Sequence, residues 1–221
     1  MGFSFGGMFA DKTKMVEESN ALVGRDELIE ISGIHHVNGH SMFAPFPQNM
    51  EVAYFALGCF WGAEKLFWNI DGVYVTAAGY QGGYTKNPTY EETCTALTGH
   101  AETVMVVFDP EIISYAELVT KFFEGHDPTQ FMGQGNDIGT EYRSAVFATT
   151  AEQFNATIQA MDEYNKSLIE NGFGEITTEV RDLPTPPFYY AEEYHQQYLS
   201  KNPNGYCNLR GTGVACAINN G

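Results

Sequence analysis

An α/β fold, more narrowly an α+β sandwich of ferredoxin-like split βαβ units on a mixed sheet, is predicted by three observations. Short β-rich runs alternate with helical patterns, two of the helices open on Ser/Thr capping signals, and no strand is followed by the Gly-x-Gly-x-x-Gly turn of a dinucleotide-binding sheet. An irregular N-terminal extension and a Gly-rich C-terminal tail flank this core.

Each element has its own signal. Residues 1–50 carry the breaks Gly6-Gly7 and Pro45-Phe46-Pro47 and little periodicity, which marks them as the extension. The apolar run 52–57, closed by Gly58, predicts a buried strand. A helix follows over 59–69, with Phe60, Glu64, Phe67 and Trp68 at helical spacings and Asp71-Gly72 as its stop. Residues 73–79 form a second β-rich run. Gly82-Gly83, Asn87-Pro88 and Gly99 make 81–99 a loop. Residues 101–108 predict a strand ended by Asp109-Pro110, and Ser114 with Glu117 forms a capping box for a helix reaching about residue 124. A strand over 143–149, a long helix over 150–171 opened by Thr150-x-x-Gln153, a short strand over 176–180 and a short helix over 191–199 complete the core. The expected organisation is therefore an extension (1–50), a catalytic domain (51–200) and a tail carrying two cysteines (201–221).

Composition narrows the function. The 221 residues are 43% hydrophobic and 14% aromatic, enough for a core without disulfide staples. With 28 Asp+Glu against 11 Lys+Arg, the net charge of -17 repels phosphate backbones, so nucleic acid is not an expected partner. No stretch is long and apolar enough to span a membrane. Asp11, Lys12 and Lys14 interrupt the N-terminus before a signal-peptide pattern develops, so the expected location is cytoplasmic. Cysteines at 59, 94, 207 and 216 are too few and too scattered for a secreted disulfide scaffold, and none forms a Cys-x-x-Cys pair for zinc. His35-His36 with His40 has no cysteine or second acidic group at ligand spacing, so no metal and no other cofactor is expected. A monomer is the default.

Chemistry centres on Cys59, in Gly58-Cys59-Phe60-Trp61-Gly62, where a strand turns into a helix. Free N–H groups and the positive end of the helix favour an anion there, which lowers a thiol pKa below its ordinary value of about 8.5. Gly58 and Gly62 leave space for a substrate to approach, with Phe60 and Trp61 as an apolar wall. The local pattern alone equally fits an inert buried cysteine among core aromatics. A thiol peroxidase would use the same placement but needs a basic partner, and no Arg adjoins Cys59.

The whole segment Gly58-Cys59-Phe60-Trp61-Gly62-Ala63-Glu64 closely resembles the signature of the peptide-methionine (S)-S-oxide reductases, the A-type methionine sulfoxide reductases. The resemblance continues through Gly83-Tyr84-Thr85, Asn87-Pro88-Thr89-Tyr90, Gly99-His100-Ala101-Glu102, Gly139-Thr140-Glu141-Tyr142-Arg143-Ser144 and His195-Gln196-Gln197-Tyr198-Leu199. It covers residues 50–216. Reduction of the S epimer of methionine sulfoxide, free or in proteins, is the activity that it implies.

The resemblance also implies roles. Cys59 attacks the sulfoxide sulfur and becomes a sulfenic acid. Glu102 is the acid, which burial would keep protonated near neutral pH. Tyr90 and Tyr142 donate hydroxyls to the sulfoxide oxygen, and Asp137 helps to organise the site. Phe60 and Trp61 receive the methyl group. Cys207 resolves the sulfenic acid to a disulfide, and Cys216 passes the disulfide outward; the run Asn208-Leu209-Arg210 between them departs from the usual Gly-rich spacing and puts that second step in doubt. Thioredoxin is the implied reductant. Cys94 has no role in the pattern and is expected to be a bystander.

Overall fold

The structure, a computed structural model, describes residues 11–216. Strand β1 (Glu51–Leu57) runs into helix α1 (Phe60–Trp68), followed by β2 (Val73–Gln81), α2 (Tyr90–Thr93), β3 (Ala101–Phe108) and α3 (Tyr115–Gly125). A small hairpin of β4 (Gly133–Gln134) and β5 (Asp137–Ile138) and a 3-10 turn (Thr140–Tyr142) lead to β6 (Ser144–Phe147). Helix α4 (Ala151–Glu170), β7 (Glu179–Arg181), β8 (Phe188–Tyr190) and α5 (Tyr198–Lys201) complete the order.

The six-stranded sheet has the order β7-β6-β1-β3-β2-β8. β3 lies antiparallel between β1 and β2, so β1-α1-β2 is a βαβ unit split by an inserted strand. β1 in turn separates β3 from β6, which makes a second split unit around α3. β7 joins β6 in parallel, and this pair makes the sheet mixed. The predicted architecture is the observed one.

Every residue of β3 is buried, because both faces of the sheet are covered. Val104, Val106 and Phe108 point into the helix-side core with Phe55, Phe67, Phe122 and Tyr164. Met105 and Val107 point the other way, against Val75, Ala77 and Met42. Met42 comes from the N-terminal extension and is fully buried, so this irregular segment supplies the sheet's second layer. It also braces the loop after β2. Leu22 and Arg25 donate backbone N–H groups to Leu97 O and Lys86 O (3.0 Å each), and Arg25 pairs with Glu92. The three extension histidines do not converge: His35 meets Thr76 Oγ1 (3.0 Å), His36 meets Ser200 Oγ (2.9 Å) and His40 meets Tyr74 O (2.9 Å).

Several boundaries differ from expectation for local reasons. Residues 81–99 contain α2, opened by a capping box in which Thr89 accepts from Glu92 N and the Glu92 side chain accepts from Thr89 N. The expected strand over 176–180 shifts to β7, because Ile176 N donates to Asn165 Oδ1 and Thr177 N to Pro128 O. The helix expected over 191–199 starts only at Tyr198 and runs to Lys201. Its first part is held otherwise: the Gln196 side chain pairs with both N–H and C=O of Ala78, and Gln197 (φ 46°) donates its N–H to Glu64. The hairpin β4–β5 and the edge strand β8 had no signal strong enough to predict them. Residues 202–216 of the tail have no regular structure. Gly6-Gly7 lies outside the described residues.

Candidate active site

Cys59 occupies the cap position between β1 and α1, where the chain makes the sharp strand-to-helix turn that the sequence predicted. Gly58 takes φ +92°, a conformation open to glycine, and a Cβ there would lie 2.6 Å from Gln134 Cβ. Cys59 lines a cavity of about 180 Å³ together with Phe60, Trp61, Tyr90, Glu102, Asp137, Tyr142 and Tyr206. Residues from α1, α2, β3, β5, the 3-10 turn and the tail thus meet at one point, although up to 147 positions separate them. A larger hollow of about 600 Å³, lined by Glu51, Val52, Tyr115, Thr149, Gln153 and their neighbours, contains no thiol, imidazole or basic group and lies away from this chemistry.

Glu102 is the second residue of β3 and is buried beneath the turn of α1. Its Oε2 accepts the backbone N–H of Phe60 at 2.9 Å, which fixes the carboxyl beside the Cys59 turn. Burial pushes its pKa up to about 8; the Phe60 N–H pulls the other way, and the negative charges of Glu141, Asp137 and Glu192 add to the rise. The carboxyl is therefore protonated at neutral pH, the state a proton donor needs.

The Cys59 thiol behaves differently from the sequence expectation. Burial, then the charge of Glu102, pushes its pKa up, opposed by the N–H groups of Trp61 and Gly62, while Asp137 raises it further. The helix N-terminus acts in the expected direction but is outweighed by desolvation. When Glu102 carries its proton, the second of those causes falls away.

Tyr90, the first residue of α2, and Tyr142, in the 3-10 turn, bring their phenols to the same cavity. Burial raises both pKa values first, and neighbouring negative groups add to it, so both hydroxyls stay protonated as donors. Cys94, expected to be a bystander, is half-buried, and its thiol is among the neighbouring groups that raise the Tyr90 pKa. Phe60 is buried and Trp61 half-buried, the indole stacked on Tyr198 with centroids 3.8 Å apart.

The tail reaches the site as well. Tyr206, which the sequence reading did not single out, donates its hydroxyl to both carboxylate oxygens of Asp137 (3.1 and 3.2 Å). Its one available signal was adjacency to Cys207. Asn208 Nδ2 donates to Gln134 O (3.2 Å), so hydrogen bonds flank Cys207 on both sides. The exposed Cys207 has its Sγ only 3.2 Å from where a Cβ on Gly62 would sit. The space above Gly62, expected to admit substrate, is filled by Cys207 and Leu209, and that above Gly58 by Gln134. Cys216 does not line this cavity. It is buried at the edge of the helix-side core, and its N–H donates to Glu124 Oε1 (2.9 Å).

With the geometry in place, likeness to known proteins is informative. The sequence profile of the family described as peptide methionine sulfoxide reductase matches residues 51–218. The chain is 56% identical over 211 residues to peptide methionine sulfoxide reductase MsrA 1 of Synechocystis, covering 96% of this chain and 94% of that one. It is 54% identical over 206 residues to the mitochondrial peptide methionine sulfoxide reductase of Homo sapiens, covering 93% and 87%. Among solved structures, methionine sulfoxide reductase A of Corynebacterium diphtheriae superposes with a TM-score of 0.82 at 45% identity, covering 93% of this chain and 99% of that one.

Proposed function

Because the chain belongs to the peptide methionine sulfoxide reductase family, we propose that Cys59 is the atom through which it takes oxygen from methionine sulfoxide. The observation that carries this assignment is the shared cavity of Cys59, Glu102, Tyr90 and Tyr142, with Glu102 tied to the α1 turn through Phe60 N.

The steps follow from those positions. The sulfoxide oxygen lies among the Tyr90 and Tyr142 hydroxyls and the Glu102 carboxylic acid, while Phe60 and Trp61 enclose the S-methyl group. Glu102 gives its proton to the oxygen as the Cys59 sulfur bonds to the sulfoxide sulfur, and the thiol proton of Cys59 returns to Glu102. The new S–S bond and the old S–O bond then break as the hydroxyl passes to the Cys59 sulfur, leaving a sulfenic acid there, and methionine leaves as the thioether. Asp137 orients the cavity mouth, with Tyr206 held against it. Cys207 then attacks the sulfenic sulfur; an S–S bond forms and water departs. Cys216 takes over that disulfide, and thioredoxin, a dithiol of suitable potential, reduces it outside. The S epimer is the substrate form, free or in proteins, and the expected location is cytoplasmic. Residues 51–200 form the catalytic unit, with 201–221 as its redox tail.

An epimer-resolved reductase assay with thioredoxin as donor tests the reading. Cys59→Ser abolishes reduction of the S-sulfoxide while circular dichroism stays that of the native fold; near-normal turnover in that variant would overturn it. Cys207→Ser still yields one methionine per enzyme and accumulates a dimedone-reactive Cys59, whereas a normal disulfide cycle without Cys207 would remove the resolving role.

A further inference from the structure

We propose that His195 is a positioning residue for the reductase reaction, its imidazole holding the walls of the methyl pocket in register with the Cys59 sulfur through Trp61, Phe60 and Tyr90. The inference rests on the proposed use of the Cys59 cavity and adds a residue that does not itself line it.

His195 is 1% exposed and sits directly behind the cavity. The Trp61 indole N–H donates to its Nδ1 at 2.9 Å. An indole can only donate, so Nδ1 is unprotonated and the ring carries its hydrogen on Nε2. The flat faces do the rest. Its centroid lies 4.9 Å from Phe60, on one wall of the pocket, and 4.7 Å from Tyr90, on another, with interplanar angles of 56° and 55°. One imidazole therefore touches three of the groups that would meet the substrate. Tilted contacts at these separations are the preferred arrangement of aromatic rings and resist rotation of any one of them.

The turn that carries His195 also anchors the pocket from its backbone. His195 N donates to Glu192 O (2.9 Å), and the Glu192 carboxylate accepts Tyr90 N–H and the Tyr80 hydroxyl (2.8 Å each). Glu192 Oε2 is 3.9 Å from His195 Nε2, too far for a direct hydrogen bond, and Nε2 has no partner among the described residues. A buried polar atom left in this way is costly for stability alone. A phenyl ring would fill the same volume and remove that unpaired atom. What phenyl lacks is an acceptor for the Trp61 N–H, and that acceptor is the reason for an imidazole at 195. Burial also lowers the pKa of the ring, which keeps Nδ1 available.

The test compares His195→Phe, which keeps bulk and stacking, with His195→Asn, whose carboxamide oxygen can accept from the indole where Nδ1 did. Steady-state kinetics with methionine S-sulfoxide and thioredoxin should show KM rising by roughly tenfold in His195→Phe, with the saturating single-turnover rate changed by less than about threefold. His195→Asn should recover most of the KM. In a Trp68→Phe background, emission from Trp61 should shift to longer wavelength in His195→Phe and not in His195→Asn. Placed on Trp61→Phe, His195→Phe should add no further increase in KM, because the donor is already gone. An unchanged KM in His195→Phe, equal impairment by Phe and Asn, or full additivity with Trp61→Phe would each overturn the proposal. A merely structural role would lower the fraction of active enzyme and leave KM unmoved. Should His195→Phe not fold, His195→Leu, which likewise offers the Trp61 N–H no acceptor, replaces it in the same cycle. Failure of the Cys59 reading itself would show separately, as turnover that survives Cys59→Ser.

Discussion

The backbone N–H of Phe60 points at Glu102 Oε2 from 2.9 Å, so the residue after Cys59 fixes the carboxyl proposed as the proton donor. A single peptide unit thereby sets the relation between the Cys59 turn and the Glu102 carboxyl, and side-chain flexibility enters on only one side of it.

The acid role predicts a descending alkaline limb. The Glu102 pKa is raised to about 8, so the proton-bearing form is full at pH 6 to 7 and is lost as pH rises through that value. Burial pushes the Cys59 thiol above the same window, so its ionisation does not offset the loss there. Single-turnover rates of methionine formation should fall accordingly. Glu102→Gln should slow that step by about 100-fold or more and flatten the limb, with binding changed far less. An unchanged rate would contradict the assignment.

Gly62 should matter for recycling rather than for reduction. An Ala there suits a helix better by about 1 kcal/mol, yet its Cβ would press on Cys207 Sγ at 3.2 Å and Leu209 Cβ at 3.0 Å. Gly62→Val should leave the first turnover within about twofold and slow formation of the Cys59–Cys207 disulfide, which would be read as trapped sulfenic acid by mass spectrometry. Equal disulfide rates in the variant and the parent protein would show that the notch is incidental.

Glu64, fully buried in α1, is a stability determinant. Thr76 Oγ1, Gln197 N and Gln197 Nε2 all donate to it, while burial holds its pKa up to about 7. A carboxamide offers one acceptor oxygen and sets an NH₂ against donors. Glu64→Gln should therefore cost about 1–3 kcal/mol in urea unfolding. Since the folded-state pKa is raised, the contribution from proton binding is complete below the ordinary carboxylate value and declines as pH rises through about 7. The parent protein should lose more stability between pH 5 and pH 8 than Glu64→Gln does.

Met42 should be the fastening of the extension. It is fully buried against Val75, Ala77, Met105 and Val107, and Met42→Ala should cost about 2–5 kcal/mol by thermal or chemical unfolding. A cost no larger than that of an exposed substitution would mean that the extension is not part of the core.

Much of this was legible in the chain. Ser114/Glu117 and Thr150/Gln153 announced α3 and α4 because capping is a local event written in four residues. Cys59 was placed at its turn because Gly58 closes an apolar run. What escaped was non-local. The helix expected over 191–199 gave way because Gln196 and Gln197 bond Ala78 and Glu64, more than a hundred residues earlier. The raised Cys59 thiol escaped for the same reason: its helix terminus is readable from sequence, whereas its burial against Glu102 and Asp137 is not. Tyr206 and His195 likewise gain meaning only through partners at positions 137 and 61.

Cys216 packs at the rim of the helix-side core, its N–H on Glu124, while the Tyr164 hydroxyl meets Thr212 and Val214 on the strand of chain leading to it. A sulfur stored in that way is guarded from stray oxidants while the enzyme idles. If Cys216 takes over the disulfide as proposed, it would first have to leave that packing, so the hand-over would wait on a movement of the tail that the Cys59–Cys207 bond could set off.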